Sequence, residues 1–274
     1  GRQASWHAHA AGEGAAALAG FDAMGAFSYT TELLDRMPGN PVPMDIVVRD
    51  ARVAQAAGRI TLEQQGFTLE PWPTRLPQKR FYKPENVERE YYPEMEALIK
   101  RVTGAVEYVI VNNIVRNAGK ADKRGNSNPF AGGCNGVNGY ANIVHTDFRA
   151  KKSVEKFYQR PAPHEKSHAE GGAMAGGVAG KFILINAWRN ISDTDPIYNN
   201  TLACCDQQTV DEPEDYISVD VPLTPEAHAE QYRLVTQSAH KHAWYYYPHM
   251  TKDEVLLFMQ VRERSLPPRR TFPL

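Results

Sequence analysis

The stretch with the strongest helical character, KPENVEREYYPEMEALIKRVTG (83–104), stands early, and a succession of short apolar runs broken by turns follows it. In the helical stretch acidic residues crowd the start, and Met95, Leu98, Ile99 and Val102 form an apolar face. Lys100 and Arg101 stand near the end, and Gly104 closes it. Pro93 is a point at which it can split into two pieces. The later runs are AVEYVIVNNIV (105–115), KFILINAWRNI (181–191), TLACCDQQTV (201–210), YISVDVPL (216–223), HAWYYYPHM (242–250) and VLLFMQV (255–261). Their β-branched and aromatic content favours strands. Upstream, PVPMDIVVRDAR (41–52) reads as a short strand at Ile46–Val48, and RITLEQQGFTLEPWP (59–73) as two short strands turning at Gly66. A doubly wound parallel sheet needs regular strand–helix alternation, which this order lacks. The expectation is an α+β fold with a barrel or double-sheet core and flanking helices.

Residues 1–40 begin with an Ala/Gly-rich stretch and read as a loose segment, leaving 41–274 as a single domain. Two further stretches read as loops over a site. RNAGKADKRGNSNPFAGGCNGVNGY (116–140) is too long and too rich in Gly and Asn for a plain connection, and PAPHEKSHAEGGAMAGGVAG (161–180) is of low complexity. RAKKSVEKFYQR (149–160), between them, is helix-capable.

Composition excludes several function classes. A formal net charge of −1 argues against a nucleic-acid partner held by a basic surface. No apolar run reaches the about 20 residues a membrane helix needs, and the first twenty residues lack the pattern of a secretory signal. The three cysteines, Cys134, Cys204 and Cys205, form neither a disulfide framework nor a zinc spacing, so a reducing, cytoplasmic setting is expected. No glycine-rich nucleotide-binding motif is present. The partner expected is a small-molecule substrate, with no nucleic acid and no membrane; whether the chain forms a homodimer stays open.

The chemistry-bearing feature is ANIVHTDF (141–148). Residues at i and i+2 of a strand project from one side, so His145 and Asp147 can reach one metal from a strand end. Two His and one carboxylate on one face of an octahedron suit a mononuclear Fe(II) oxygenase, leaving the other positions for co-substrate and oxygen. The plainer reading is a surface His followed by a helix-capping Asp. A third ligand must come from far along the chain. His240, His242 and His249 cluster in HKHAWYYYPHM; on a strand, His240 and His242 share a face with Trp244, and His242 is the best candidate. Its plainer reading is a histidine packed among aromatics. Arg189, closing an apolar strand, could hold a keto-acid carboxylate through a two-pronged hydrogen bond, or pair with Asp193 or Asp195. Cys204 and Cys205 read as small buried hydrophobes.

Taken in order, the segments DAR…GF, YYPEMEALIKRVTGA, Val115-Arg116, VHTDF, GKFILINAWRNI, LACCDQQTV and HAWYYYPHMTKDEVLLF, from about Asp45 to Phe258, resemble the hydroxylase/desaturase proteins of fungal and bacterial natural-product pathways. That family includes the cephamycin-type hydroxylase component and the gibberellin-desaturase type. The resemblance implies a double-stranded β-helix (jelly-roll, cupin-like) core and dependence on Fe(II) and 2-oxoglutarate. It also implies hydroxylation or desaturation of a small secondary metabolite, with His145 and Asp147 matching the family's metal pair. In that family the distal metal His and the 2-oxoglutarate Arg follow an Asp-Ser step after the DEVLLF strand. Here the sequence reads FMQVRERSLPPRRTFPL, without that step and without a His, and Arg269 and Arg270 are its late cations. Either His242 completes the site, or the chain is a catalytically impaired relative serving as a binding or partner protein.

Overall fold

The computed structural model describes residues 23–30, 41–105, 109–110, 113–117, 119, 137–139, 143–147, 166–167, 183–212, 214–222 and 228–262. Helix and sheet are mixed, with sheet dominant.

The largest sheet joins the two ends of this set. β1 (Ala23–Thr30) pairs antiparallel with β2 (Pro41–Asp50), so an eight-residue strand lies inside the segment whose composition reads as loose. Asp50 then caps α1 (Ala51–Ala56), its carboxylate accepting from the backbone N–H of Arg52 at 2.8 Å. RDAR reads as a polar turn, and the helix there is a correction to that reading. Asp50 before an alanine-rich run and Gly58 after it, at φ 70°, are its start and stop signals. Arg59–Gln65, expected as a strand, forms turns, and only β3 (Phe67–Pro71) is extended. Gly66 keeps its turning role at φ 89°.

The helical region behaves largely as its sequence predicts. α2 (Pro84–Asn86) runs through a π-helical turn at Val87–Tyr91 into α3 (Tyr92–Thr103). Pro93 sits in the first turn of α3, where its missing N–H costs nothing, and Gly104 ends the helix in the left-handed region at φ 69°. Met95 and Leu98 of α3 pack on Val255 and Leu257, the last three of these fully buried. Cutting Leu98 back to Ala would cost roughly 2–5 kcal/mol.

The remaining strands are β4 (Val109–Ile110), β5 (Val115–Arg116), β6 (Val137–Asn138), β7 (His145–Thr146), β8 (Lys166–Ser167), β9 (Ile183–Arg189), β10 (Ala203–Cys205), β11 (Tyr216–Pro222), β12 (His228–Leu234), β13 (Trp244–Tyr246) and β14 (Glu254–Arg262). They assemble as β1-β2-β13-β10, β11-β12-β7 and β3-β14-β9, with small pairs β4-β8 and β5-β6. β13 lies parallel to β2, with Trp244 opposite Val48. One core joins the first two sheets through Ile46, Val48, Leu234, Ala239, Trp244 and Tyr246. A second lies between α1 and β14, around Phe67, Tyr247, Met250 and Leu256. Arg52 clasps them from outside with a two-pronged bond to Glu254 at 2.7 and 2.9 Å and a third to the Pro248 carbonyl at 2.9 Å. Burial alone would raise the Glu254 carboxyl, but the bonds from Arg52 and Thr251 outweigh it and hold the group below the usual carboxylate range. Among the described residues no helix is long and apolar enough to cross a membrane. The helix-capable 149–160, and the loops 116–140 and 161–180 apart from a few strand residues, lie outside the described residues.

Candidate metal centre

β7 is the inner end of a three-stranded sheet, held against β12 with His145 opposite Arg233 and Thr146 opposite Tyr232. The chain bends immediately afterwards at Asp147. His145 Nδ1 lies 2.6 Å from the Ile143 carbonyl oxygen. A carbonyl only accepts, so Nδ1 carries a proton, and in the neutral ring Nε2 keeps its lone pair. That lone pair faces Asp147 Oδ1 at 3.6 Å, too far for a hydrogen bond. Two donors each about 2.1 Å from a shared cation lie roughly 3–4 Å apart. A neutral nitrogen donor and a carboxylate oxygen in this relation, with the other ring nitrogen tied to a backbone carbonyl, fit the donor chemistry of a mononuclear iron ion.

Two neighbours that sequence reasoning did not single out support the pair. Gln260 reaches it from β14. On that strand Met259 is opposite Ile185 and Val261 opposite Leu184, so Gln260 is the extra residue of a β-bulge. Its Oε1 accepts from the Asp147 backbone N–H at 3.2 Å and also from the Thr146 hydroxyl. Arg116, on β5, donates to the Gly139 carbonyl at 2.9 Å. Desolvation by burial lowers its proton affinity, and the charge of Asp147 partly restores it, which places this cation beside the pair. The bulge has no local sequence signal; Arg116 stands in the Val115-Arg116 segment, where nothing in the sequence marks it as facing Asp147.

His242 is placed elsewhere. Residues Thr236–Lys241 form a 3-10 helix, not a strand, and His242 caps it. Its imidazole is fully buried, with Nε2 3.3 Å from Asp215 Oδ2. Burial pushes the ring below the usual histidine range, with Asp215 pulling the other way. Burial would raise Asp215, yet the Asp211 N–H, the Ser238 hydroxyl and His242 together hold its carboxyl low. Among the described residues no three His, Cys, Asp or Glu side chains come together, so His242 does not join His145 and Asp147. The strand expected over HAWYYYPHM is confined to Trp244–Tyr246, so His240 and His242 stand outside it, in and after a helical turn whose Ser238 and Ala239 are buried.

Arg189 is likewise drawn away from the pair. Nε donates to the Tyr91 hydroxyl at 3.0 Å, one Nη to the Lys252 carbonyl at 2.5 Å and the other to the Trp72 carbonyl at 2.6 Å. It faces Val255 at the far end of β14 from Gln260, five residues or roughly 16 Å along the strand. Neither Asp193 nor Asp195 pairs with it; Asp193 binds Lys252. Burial pushes the Cys204 thiol up to about 12, consistent with an inert packing role. Arg269 and Arg270 lie outside the described residues.

The chain has similar counterparts among curated proteins and solved structures. The alpha-ketoglutarate-dependent dioxygenase tstK of Talaromyces stipitatus is 25% identical over 206 residues, covering 74% of this chain and 66% of that protein. The hydroxylase/desaturase efuI of Hormonema carpetanum is 27% identical over 240 residues, covering 81% of this chain and 72% of that protein. The chain thus spans 66% of the length of the first of these relatives. Among solved structures, the iron and alpha-ketoglutarate-dependent endoperoxidase NvfI superposes with a TM-score of 0.66 at 18% identity, over 90% of this chain and 86% of that one. At that identity the likeness carries the fold alone. By the match of residues 23–269 to its model, the chain belongs to the YDMC family, the oxidoreductase/YMDC permease-like domain.

Proposed function

We propose that the protein is a non-haem Fe(II), 2-oxoglutarate-dependent oxygenase that hydroxylates or desaturates a small secondary metabolite. The observation that carries this reading is the His145–Asp147 pair, with Nδ1 locked on Ile143 and the Nε2 lone pair turned to Asp147 Oδ1. The names of the relatives, a dioxygenase and a hydroxylase/desaturase, support the same chemistry; a double-stranded β-helix core is part of the same proposal. His145 and Asp147 would hold the iron. Bound there with 2-oxoglutarate, iron supplies the oxidising power for removing a substrate hydrogen. The chain's own residues orient the pair: the Ile143 carbonyl sets the histidine tautomer, Gln260 holds the backbone at Asp147, and Arg116 brings a positive charge near the carboxylate.

Anaerobic titration of Fe(II) into the purified protein with 2-oxoglutarate tests this. A visible charge-transfer band is expected, and it should vanish in His145→Ala. A folded protein that gives no band would overturn the oxygenase reading in favour of a binding protein that keeps the fold.

A further inference from the structure

Arg233 occupies a position that neither the metal pair nor the hydrophobic cores explain. It stands on β12 directly opposite His145, and directly opposed residues of an antiparallel pair project from the same face with Cα atoms about 4.5–5.5 Å apart. Its Nε donates to Gln231 Oε1 at 2.9 Å. Gln231 is itself buried, two residues earlier on the same face. On the other flank β11 sets Ile217 opposite Arg233 and the buried Val219 opposite Gln231, an apolar wall.

Among the described residues the other buried or half-buried arginines are neutralised or saturated. Arg52 has Glu254, Arg80 has Glu90, Arg116 has Asp147 nearby, and Arg189 fills its three edges with neutral acceptors. Among the described residues Arg233 has the single neutral amide of Gln231, and desolvation lowers its proton affinity with no carboxylate to offset it. A half-buried guanidinium that has one neutral partner keeps donors available for an incoming anion. With Nε committed to Gln231, the two Nη groups form the end of the fork that receives a carboxylate with two hydrogen bonds.

We propose that Arg233, oriented by Gln231, anchors a carboxylate of a molecule bound beside His145 and Asp147. The proposal rests on the metal reading of that pair. The carboxylate belongs either to an organic-acid substrate or to the 2-oxoacid co-substrate, and the test separates them.

Calorimetric titration of the full chain, anaerobically, first measures Fe(II) binding to wild type and Arg233→Met. Loaded protein is then titrated with 2-oxoglutarate and, with 2-oxoglutarate present, with cyclohexanecarboxylate and its uncharged amide. Loss of the two charged hydrogen bonds should weaken the anchored carboxylate by about 10- to 100-fold. Loss confined to cyclohexanecarboxylate assigns the anchor to substrate, with wild type preferring acid over amide; loss confined to 2-oxoglutarate assigns it to the co-substrate. Arg233→Lys serves if Arg233→Met does not fold, since it keeps the charge and loses the fork. Equal affinities in wild type and variant, or no binding of either carboxylate by wild type, overturn the anchor. Failure of wild type to take up Fe(II) is a separate result that overturns the metal reading. The same carboxylates are then titrated into metal-free protein, where weaker binding by the variant supports the anchor and equal affinity overturns it.

Discussion

Two histidine–carboxylate pairs in this molecule have nearly the same separation, 3.6 Å for His145–Asp147 and 3.3 Å for His242–Asp215, yet they are built for different work. His242 and Asp215 have side chains 0% and 3% exposed, and Asp215 accepts from Asp211, Ser238 and His242 at once. His145 and Asp147 are 18% and 42% exposed, and the histidine proton is spent on a backbone carbonyl instead of on its carboxylate. The first pair closes a hydrogen bond and ties the 3-10 turn to the start of β11. The second presents two acceptors to each other, an arrangement that a cation stabilises and that two bare acceptors resist. Where the proton sits, more than distance, separates a strut from a ligand set.

The largest break in this comparison comes from His145→Ala. Metal affinity should fall by at least about 100-fold, because even outer partners of metal ligands cost about 10–100-fold. The melting temperature of the metal-free protein should barely move, as differential scanning calorimetry would show. His242→Ala should do the reverse, leaving Fe(II) affinity in place. It takes one of three donors from a buried carboxylate and empties a packed site, so urea unfolding should register a loss of roughly 3 kcal/mol. Smaller is Gln260→Ala, which frees the Asp147 backbone and the Thr146 hydroxyl; a fall of about 10-fold in Fe(II) affinity is expected by competition with a chromophoric chelator.

The mildest effect is one of pH. Burial holds His242 below the about 6.5 at which an unfolded histidine titrates. Between those two values the unfolded chain binds more protons, so stability is full above about pH 6.5 and declines as pH falls towards the folded value, by at most about 1.4 kcal/mol per unit. Urea midpoints of wild type and His242→Gln at pH 7.5 and 5.5 check this: the wild type should lose more on acidification. An equal loss would mean that Asp215 fully offsets burial at His242, and a smaller loss that it keeps its partner charged.

Much of this contrast is legible in the sequence on one side only. His145 and Asp147 declare themselves because strand geometry acts over two residues, just as Pro93 and Gly104 declare the ends of α3. The partner that makes His242 a strut lies 27 residues earlier, and the amide that steadies Asp147 lies 113 residues later on a bulge. Neither relation leaves a local trace. Arg189 misleads for a related reason: a cation at the end of an apolar strand looks made for an anion, but here three neutral oxygens from Tyr91, Trp72 and Lys252 meet it first. Arg233 lies on β12, a strand that no sequence signal announces, and only the register with His145 gives it meaning.

The parallel seam between β2 and β13 carries a consequence for how the molecule is born. Val48 waits for Trp244, and Arg52 for Glu254, which are synthesised about two hundred residues later. Pairings so far apart along the chain close slowly, since the entropy of a very large loop is lost before any contact rewards it. On the ribosome the early strands therefore emerge with an unsatisfied edge and keep it while the next about two hundred residues are made. Cellular yield should depend on what shields that edge in the interval as much as on the stability of the finished fold.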